Sequence, residues 1–420
     1  MSTLKVNKLR DTAGAADAIT LDPNGGAVLA GVTTVTSVKV GAAVTISESG
    51  IEATGVGITC ANINGQQIGG RRNIIINGAM NVAERGTSFT SLGSEYTLDR
   101  FRYTENIDSG VVTVTQESVT DLAGFTKALK INCTTAEAGV PSKSGSKFAA
   151  LNTKLEGQDL QQLAYGTSSA KQITLSFYVK SNITGTFCVS LYKGDQTARS
   201  VSLGYTINSA NTWEKKELTF PADTGGGGID NDNGSGLEIY WVVARQQGYQ
   251  GTASTTWDDN ADPRFANLCT ATIFENTNDH ILFTGIQLEV GSQATAFEHR
   301  SFGEELKLCQ RYYYKHVDGN TKTVTENGTH YTGAYIFASF QAPTAMRTAP
   351  SIEVETGSAY YVTHSNGQQT QTFSGTGIIS SYNGKNYLSI QTSEGGGTQG
   401  HATVWRTNNA SARIAYGAEL

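Results

Sequence analysis

At 420 residues and 44.6 kDa, the chain has room for about two to four domains. Its 31 Lys and Arg stand against 37 Asp and Glu, a net charge of −6, which is the wrong sign for a protein that coats nucleic acid. A mean hydropathy of −0.28 excludes a polytopic membrane protein, and no apolar run approaches the ~18 residues of a spanning helix, so no membrane insertion is expected.

The N-terminus has no apolar stretch of signal-peptide length. Residues 1–70 contain no Trp, Tyr or Phe. From Gly31 they run as short β-branched segments broken by Gly and Asn, at roughly ten residues per strand-and-turn unit. One copy has too little bulky apolar surface to close a core. Three copies around an axis would bury Val35, Val38, Val40, Ile46, Ile51 and Ile58, so the segment reads as an intertwined β shaft. A Gly/Thr-rich linker is the alternative.

At Arg71 aromatic residues appear and period-2 strand patterns begin: 111–115, 173–179, 186–192, 213–220, 237–243 and 281–290. Many short strands and little helix predict a jelly-roll β-sandwich over 71–300, with one short helix near 156–163. Ser301 and Glu304 form a capping box, which predicts a connector helix within 301–316. Strands return at 331–340, 351–355, 387–392, 402–406 and 412–416, a small C-terminal β domain over 317–420. The fold class is therefore all-β. The five cysteines, Cys60, Cys133, Cys188, Cys269 and Cys309, are far apart without CxxC, and read as free, mostly buried thiols.

Several segments carry candidate chemistry. Sugars are held by an aromatic face against their C–H side, with carboxylates and amides on the hydroxyls. Trp257 with Asp258, Asp259 and Asn260 offers both, and Tyr249 could join. In the C-terminal domain Tyr360, Tyr361, His364, Tyr382 and Trp405 are rival glycan contacts. The Gly-rich run 225–236 is no P-loop, since no Gly-Lys-Ser/Thr comes after it. It also misses the EF-hand register, leaving Asp230 and Asp232 as a metal pair or a plain loop. Catalysis finds little: no His-Glu-x-x-His, no Gly-x-Ser-x-Gly, and only Asp258 and Asp262 as a carboxylate pair. No enzyme activity and no cofactor are expected.

The ordered motifs 72–89 (Arg72-Asn73-Ile74-Ile75-Ile76-Asn77-Gly78-Ala79-Met80), Leu98-Asp99-Arg100-Phe101, Leu155-Glu156-Gly157-Gln158-Asp159-Leu160, 175–181 and Gly285-Ile286-Gln287-Leu288-Glu289-Val290-Gly291 resemble a jelly-roll domain of bacteriophage tail fibres and prophage proteins. Residues 305–315, 343–350 and 416–420 resemble the segments C-terminal to that domain in the same fibres, and the N-terminal shaft looks like those of cyanophage fibres. The resemblance implies a homotrimeric receptor-binding fibre, external on the virion and made in the bacterial host cytoplasm. It would dock to a tail or other virion protein through its N-terminus and bind host surface polysaccharide through its β domains. A glycan-depolymerising tailspike and a structural head or neck fibre are the alternatives. Asp99 and Arg100 are expected to pair and pin the first strand.

Overall fold

The structure is a computed structural model. It describes residues 71–90, 92–247, 255–259, 268–365, 369–380 and 382–420, and within 1–70 the backbone of eight short strands. The chain divides into two compact units, Met1–Ile63 and Asn64–Leu420.

In the first unit, β1 (Lys8–Arg10), β2 (Asp17–Leu21) and β3 (Ala27–Leu29) form a three-stranded antiparallel sheet. A second such sheet joins β4 (Ser37–Val40), β5 (Val44–Ser47) and β6 (Gly50–Ala53). In it Val38 pairs with Ile46 and Ile46 with Ile51, so the β-branched residues form one row. Val35 and Ile58 lie outside the described residues. Two-residue strands β7 (Asn62–Ile63) and β8 (Gln66–Gln67) come next.

In the second unit, after β8, the described residues form twelve strands: β9 (Ser88–Thr90), β10 (Ser94–Tyr96), β11 (Arg102–Glu105), β12 (Val111–Ser118), β13 (Lys127–Thr135), β14 (Phe148–Glu156), β15 (Ile173–Ser181), β16 (Gly185–Lys193), β17 (Arg199–Ile207), β18 (Glu214–Phe220), β19 (Ser235–Arg245) and β20 (His280–Val290). They build two six-stranded antiparallel sheets, ordered β10-β11-β14-β19-β16-β17 and β18-β15-β20-β13-β12-β9. Alternating residues face inward. Leu151, Trp241 and Val189 stand opposite one another across β14, β19 and β16. Fully buried Trp241 meets Phe177 edge-on at 6.1 Å and lies 6.4 Å from Phe101 and Phe283. Such ring pairs add about 0.5–1.5 kcal/mol each beyond burial. The helix expected near 156–163 is a run of 3-10 turns, Gly157–Leu163.

The sandwich motifs have physical roles here. The Asn73 side chain substitutes for a strand: its Oδ1 accepts from the amides of Ile75 and Leu288, and its Nδ2 donates to the Ile286 carbonyl. Gly285 breaks β20 with φ +60°, and a Cβ there would meet the Phe125 ring at 2.7 Å; only glycine suits both demands. Asp99 and Arg100 do not pair. Asp99 accepts from the Glu84 amide (2.7 Å), while the Arg100 guanidinium lies 3.4 Å above the Tyr312 ring and pairs with Glu419. The reason is the turn: Arg100 has a left-handed backbone with φ 71°, which aims its side chain away from that of Asp99.

Helix α1 (Phe302–Gln310) is capped by Ser301, whose Oγ accepts from the Glu304 amide at 3.3 Å. Ten more strands complete the chain: β21 (Tyr313–Asp318), β22 (Thr323–His330), β23 (Ile336–Gln341), β24 (Ser351–Val354), β25 (Tyr361–Ser365), β26 (Gln369–Phe373), β27 (Ile378–Ile379), β28 (Tyr387–Thr392), β29 (Ala402–Thr407) and β30 (Arg413–Gly417). They form a three-stranded sheet, β21-β30-β24, and a seven-stranded one, β26-β25-β29-β22-β23-β28-β27. Between them lies a second core containing Ile336, Tyr361, Leu388, Ile390, Trp405, Ile414 and Tyr416.

Polar contacts fasten the two cores together. The Arg347 guanidinium donates to the carbonyls of Ala418 (2.7 Å), Glu419 (2.6 Å) and, in the sandwich, Asn233 (2.9 Å). The Asn233 side chain returns a bond to the Arg347 carbonyl at 2.7 Å. Arg311 holds the buried Glu156 carboxylate with two bonds of 2.7 Å.

Candidate functional site

The Trp257 region is structural. The indole is 8% exposed; its Nε1 donates to the Pro221 carbonyl (2.8 Å) and its ring meets Tyr165 edge-on at 5.6 Å. Asp258 exchanges two backbone bonds of 3.0 Å with Ser200, and Asp259 pairs with Arg199. The segment is thus stapled to the sandwich with its aromatic face turned inward. Tyr249, Asn260 and Asp262 lie outside the described residues.

The C-terminal candidates divide. Trp405 and Tyr361 are fully buried; Trp405 packs against Phe373 at 5.6 Å, and the Tyr361 hydroxyl donates to the carbonyls of Glu355 and Arg413. Tyr360 is half-buried against that core. Large rings gain most from burial, and these three are spent on packing, so none offers a free face to a sugar. His364 is exposed on β25 and bonds Thr370 at 3.1 Å.

Asp230 is tied to the β16–β17 loop, and Asp232 turns back on its own loop. Asp230 Oδ1 accepts from Gln196 Nε2 (3.3 Å), and Asp232 Oδ1 accepts from the Gly234 amide (2.8 Å). Nearby Asp195 accepts from the Asp230 amide at 3.0 Å, and burial, with the two like charges, pushes its carboxyl up. Among the described residues no three metal-type side chains converge.

Tyr382 has a different setting. Strands β22, β23 and β28 lie side by side with Thr329 opposite Phe337, Phe337 opposite Gln391 and Ser339 opposite Ser389. Alternation sends Ile336, Ala338, Leu388 and Ile390 into the core. Phe337, Ser339, Thr329 and Ser389 therefore share the outer face, where they line an open groove of about 460 Å³ with Asn327. Tyr382 and Tyr387 stand at its edge, 80% and 64% exposed. The turn between them is fixed by Asn383, whose Oδ1 accepts from the Ser389 amide (2.9 Å) and whose Nδ2 donates to the Pro350 carbonyl (2.8 Å). The Tyr382 amide donates to Ser389 Oγ, and the Gly384 amide to the Tyr387 carbonyl, both at 2.8 Å. At the other end of β23, the β22–β23 turn leaves Tyr331 and Tyr335 exposed as well, and Tyr331 meets Phe337 edge-on at 5.4 Å. Sequence reasoning misses Tyr387, although Asn383-Gly384 is a turn signal that brings its two flanking tyrosines together.

A larger cleft, about 1160 Å³, lies at the junction of the two cores. Its charges largely satisfy one another: Arg85 with Glu419 (3.3 Å), Arg413 with Glu355 (2.9 Å), and the Arg85 guanidinium over Tyr313 at 3.7 Å. Beneath it Asp99 is buried, and burial pushes its carboxyl up to about 7 against the Arg85 charge and the Glu84 amide. The cleft reads as the polar seam between the cores, and the tyrosine groove as the surface left unpartnered within the described fold.

No protein-family model matches the chain, and no curated protein matches it. Solved structures resemble about half of it. The enzymatically active domain of tailspike protein 4 of bacteriophage CBA120 is 15% identical over 52% of this chain and 21% of its own, with a TM-score of 0.29. A sugar-binding protein of Bacteroides thetaiotaomicron, itself described as putative, is 13% identical over 52% of this chain and all of its own, TM-score 0.30. The family 11 carbohydrate-binding module of a Clostridium thermocellum cellulase is 11% identical over 51% and 98%, TM-score 0.25. This chain thus spans about a fifth of the tailspike domain's length. No residue role is carried over from these structures.

Proposed function

We propose that the chain is a trimeric bacteriophage fibre protein that docks on the virion through residues 1–70 and binds a host surface glycan in the Tyr382–Tyr387 groove. One observation carries the binding reading: two largely exposed tyrosines rim a groove whose other described lining residues are Asn, Thr, Ser, Phe, Ala and Leu. A phenol ring kept in water forgoes burial worth about 1.5–3 kcal/mol for a large side chain. Two such rings at the rim of one groove make a surface suited to a partner. Their faces take the C–H side of a sugar, and Asn327, Ser339 and Ser389 supply polar groups for its hydroxyls.

The described lining contains no charged side chain, which favours an uncharged stretch of polysaccharide. It also contains no carboxylic acid, while glycoside hydrolysis in most families needs two. The groove therefore favours retention of a glycan over its cleavage. Weak single sites become avid when three chains engage together.

Two measurements on the full chain test this. Titration with neutral and with acidic bacterial polysaccharides should show binding to neutral ones that weakens at least tenfold when Tyr382 and Tyr387 are both changed to Ala; unchanged affinity refutes the site. Light scattering should give three times the chain mass; a monomer refutes the trimer.

A further inference from the structure

The long connection between β19 and β20 crosses the outer face of the first sandwich sheet at several described points, and at one of them two cysteines meet. Cys188 lies on β16 opposite Val242 of β19. Because Phe187 and Val189 face the core, Cys188 points outward with Ser190. Cys269 is set over that same rung: its Sγ donates to the Val242 carbonyl at 3.8 Å and to the Ala271 carbonyl at 3.5 Å. Its position is fixed from both sides. Arg245 Nε donates to the Cys269 carbonyl (3.1 Å), and the amides of Thr270 and Ala271 donate to the Thr186 carbonyl (2.9 and 3.0 Å). Cys269 Sγ and Cys188 thus share the Val242 rung on the outer face of the sheet. Both are buried, and both are reduced in this structure. Cys133, by contrast, donates to the Thr135 carbonyl.

The geometry points to a Cys188–Cys269 disulfide that forms when the protein meets a low-molecular-weight disulfide oxidant, locking the β19–β20 connection onto the sheet. While both are buried the pair is inert, since Cys269 beside it and burial push the Cys188 thiol well up and only a thiolate attacks. Local opening of residues 268–273 exposes both sulfurs. One thiolate then attacks the oxidant's S–S bond, forming a mixed disulfide and releasing one small thiol. The second thiolate displaces the other small thiol and closes the protein disulfide. The chain loses two protons and two electrons, and the oxidant takes them up to become two thiols. In a reducing cytoplasm the pair stays as the dithiol, so the lock would set only after the protein leaves such an environment.

The test uses the full chain, incubated at pH 8.5 with oxidised glutathione over a temperature series up to the onset of unfolding, then quenched with an alkylating reagent and mapped by mass spectrometry. The expected product is a linked pair of peptides holding Cys188 and Cys269, an intact mass lower by about 2 Da, and two of the five thiols lost to alkylation. In Cys188→Ser and Cys269→Ser that product should vanish, and the remaining cysteine should carry a single glutathione. The oxidised wild type should also melt at a higher temperature than the reduced form. Cysteines that stay alkylatable throughout the series, or that each take a glutathione without linking, overturn the proposal.

Discussion

The buried carboxylate of Glu156 offers the sharpest test of how the two cores are joined. It ends β14 with its side chain fully buried, and it accepts two bonds of 2.7 Å from Arg311, one from the Tyr312 hydroxyl and one of 2.6 Å from Gln158. Glu156→Gln keeps the shape but turns one acceptor oxygen into a donor that faces the Arg311 donors. Breaking a buried ion pair costs about 3–5 kcal/mol. Arg311 keeps 27% of its side chain exposed, and solvent can take over part of its charge, so the expected loss is about 2–3 kcal/mol. Burial pushes the Glu156 carboxyl up, but the bonds from Arg311 and Tyr312 and the Arg charges outweigh it and hold the group below its ordinary value of 4.5. A lowered acid stabilises the fold above its unfolded-state pKa, and that contribution is lost as pH falls through the folded value. Urea unfolding of wild type and variant across pH 3–8 should therefore show a gap that is full at pH 7 and closes below pH 4.5. A variant as stable as wild type at pH 7, or a gap independent of pH, would refute this account of the junction.

Asp99→Asn should act in the opposite sense. Burial raises this acid to about 7, so the native state binds the proton more tightly and wild-type stability should fall as pH rises from 3.8 to about 7; the Asn variant, measured by the same urea series, should lack that component of the fall. Trp405→Ala should cost about 3–5 kcal/mol by opening a cavity in the second core, and hydrogen exchange should show protection lost in β22–β29 while β15, β19 and β20 keep theirs. Tyr382→Ala with Tyr387→Ala should change stability by less than about 0.5 kcal/mol, because both rings are largely exposed, which separates their role in binding from any role in folding on a single melting curve.

Strand content is legible where alternation is clean. The 173–179 and 281–290 patterns form β15 and β20, and Ser301 caps α1 as its spacing to Glu304 predicts, while the Glu304 carboxylate pairs with Arg71 instead of closing the box. The 331–340 stretch is harder. Its first half is a turn that leaves Tyr331 and Tyr335 in solvent, and only Ile336 onward pairs. Residue type alone favours Trp257 and Trp405 as the site. Indoles carry the largest apolar surface, however, and whether one faces in or out depends on pairings such as Thr363 opposite Trp405, which join residues far apart in sequence. Tyr382 can be named from type alone. Its partner Tyr387 needs the Asn383 turn to be seen as an anchored hairpin.

The middle strand of the β21-β30-β24 sheet is made after both of its partners. Residues 413–417 pair with 313–318 on one side and with 351–354 on the other, and Ile414 and Tyr416 fill the second core between the sheets. On a ribosome that core cannot close until those residues emerge. Meanwhile the sandwich strands, finished by residue 290, are free to collapse first. Tyr313–Asp318 and Ser351–Val354 wait with unpaired edges, the state most open to wrong pairing with other nascent chains. The order of synthesis thus makes the C-terminal domain the slow step, and a chain released short of residue 417 would keep a folded sandwich beside two strands with no centre.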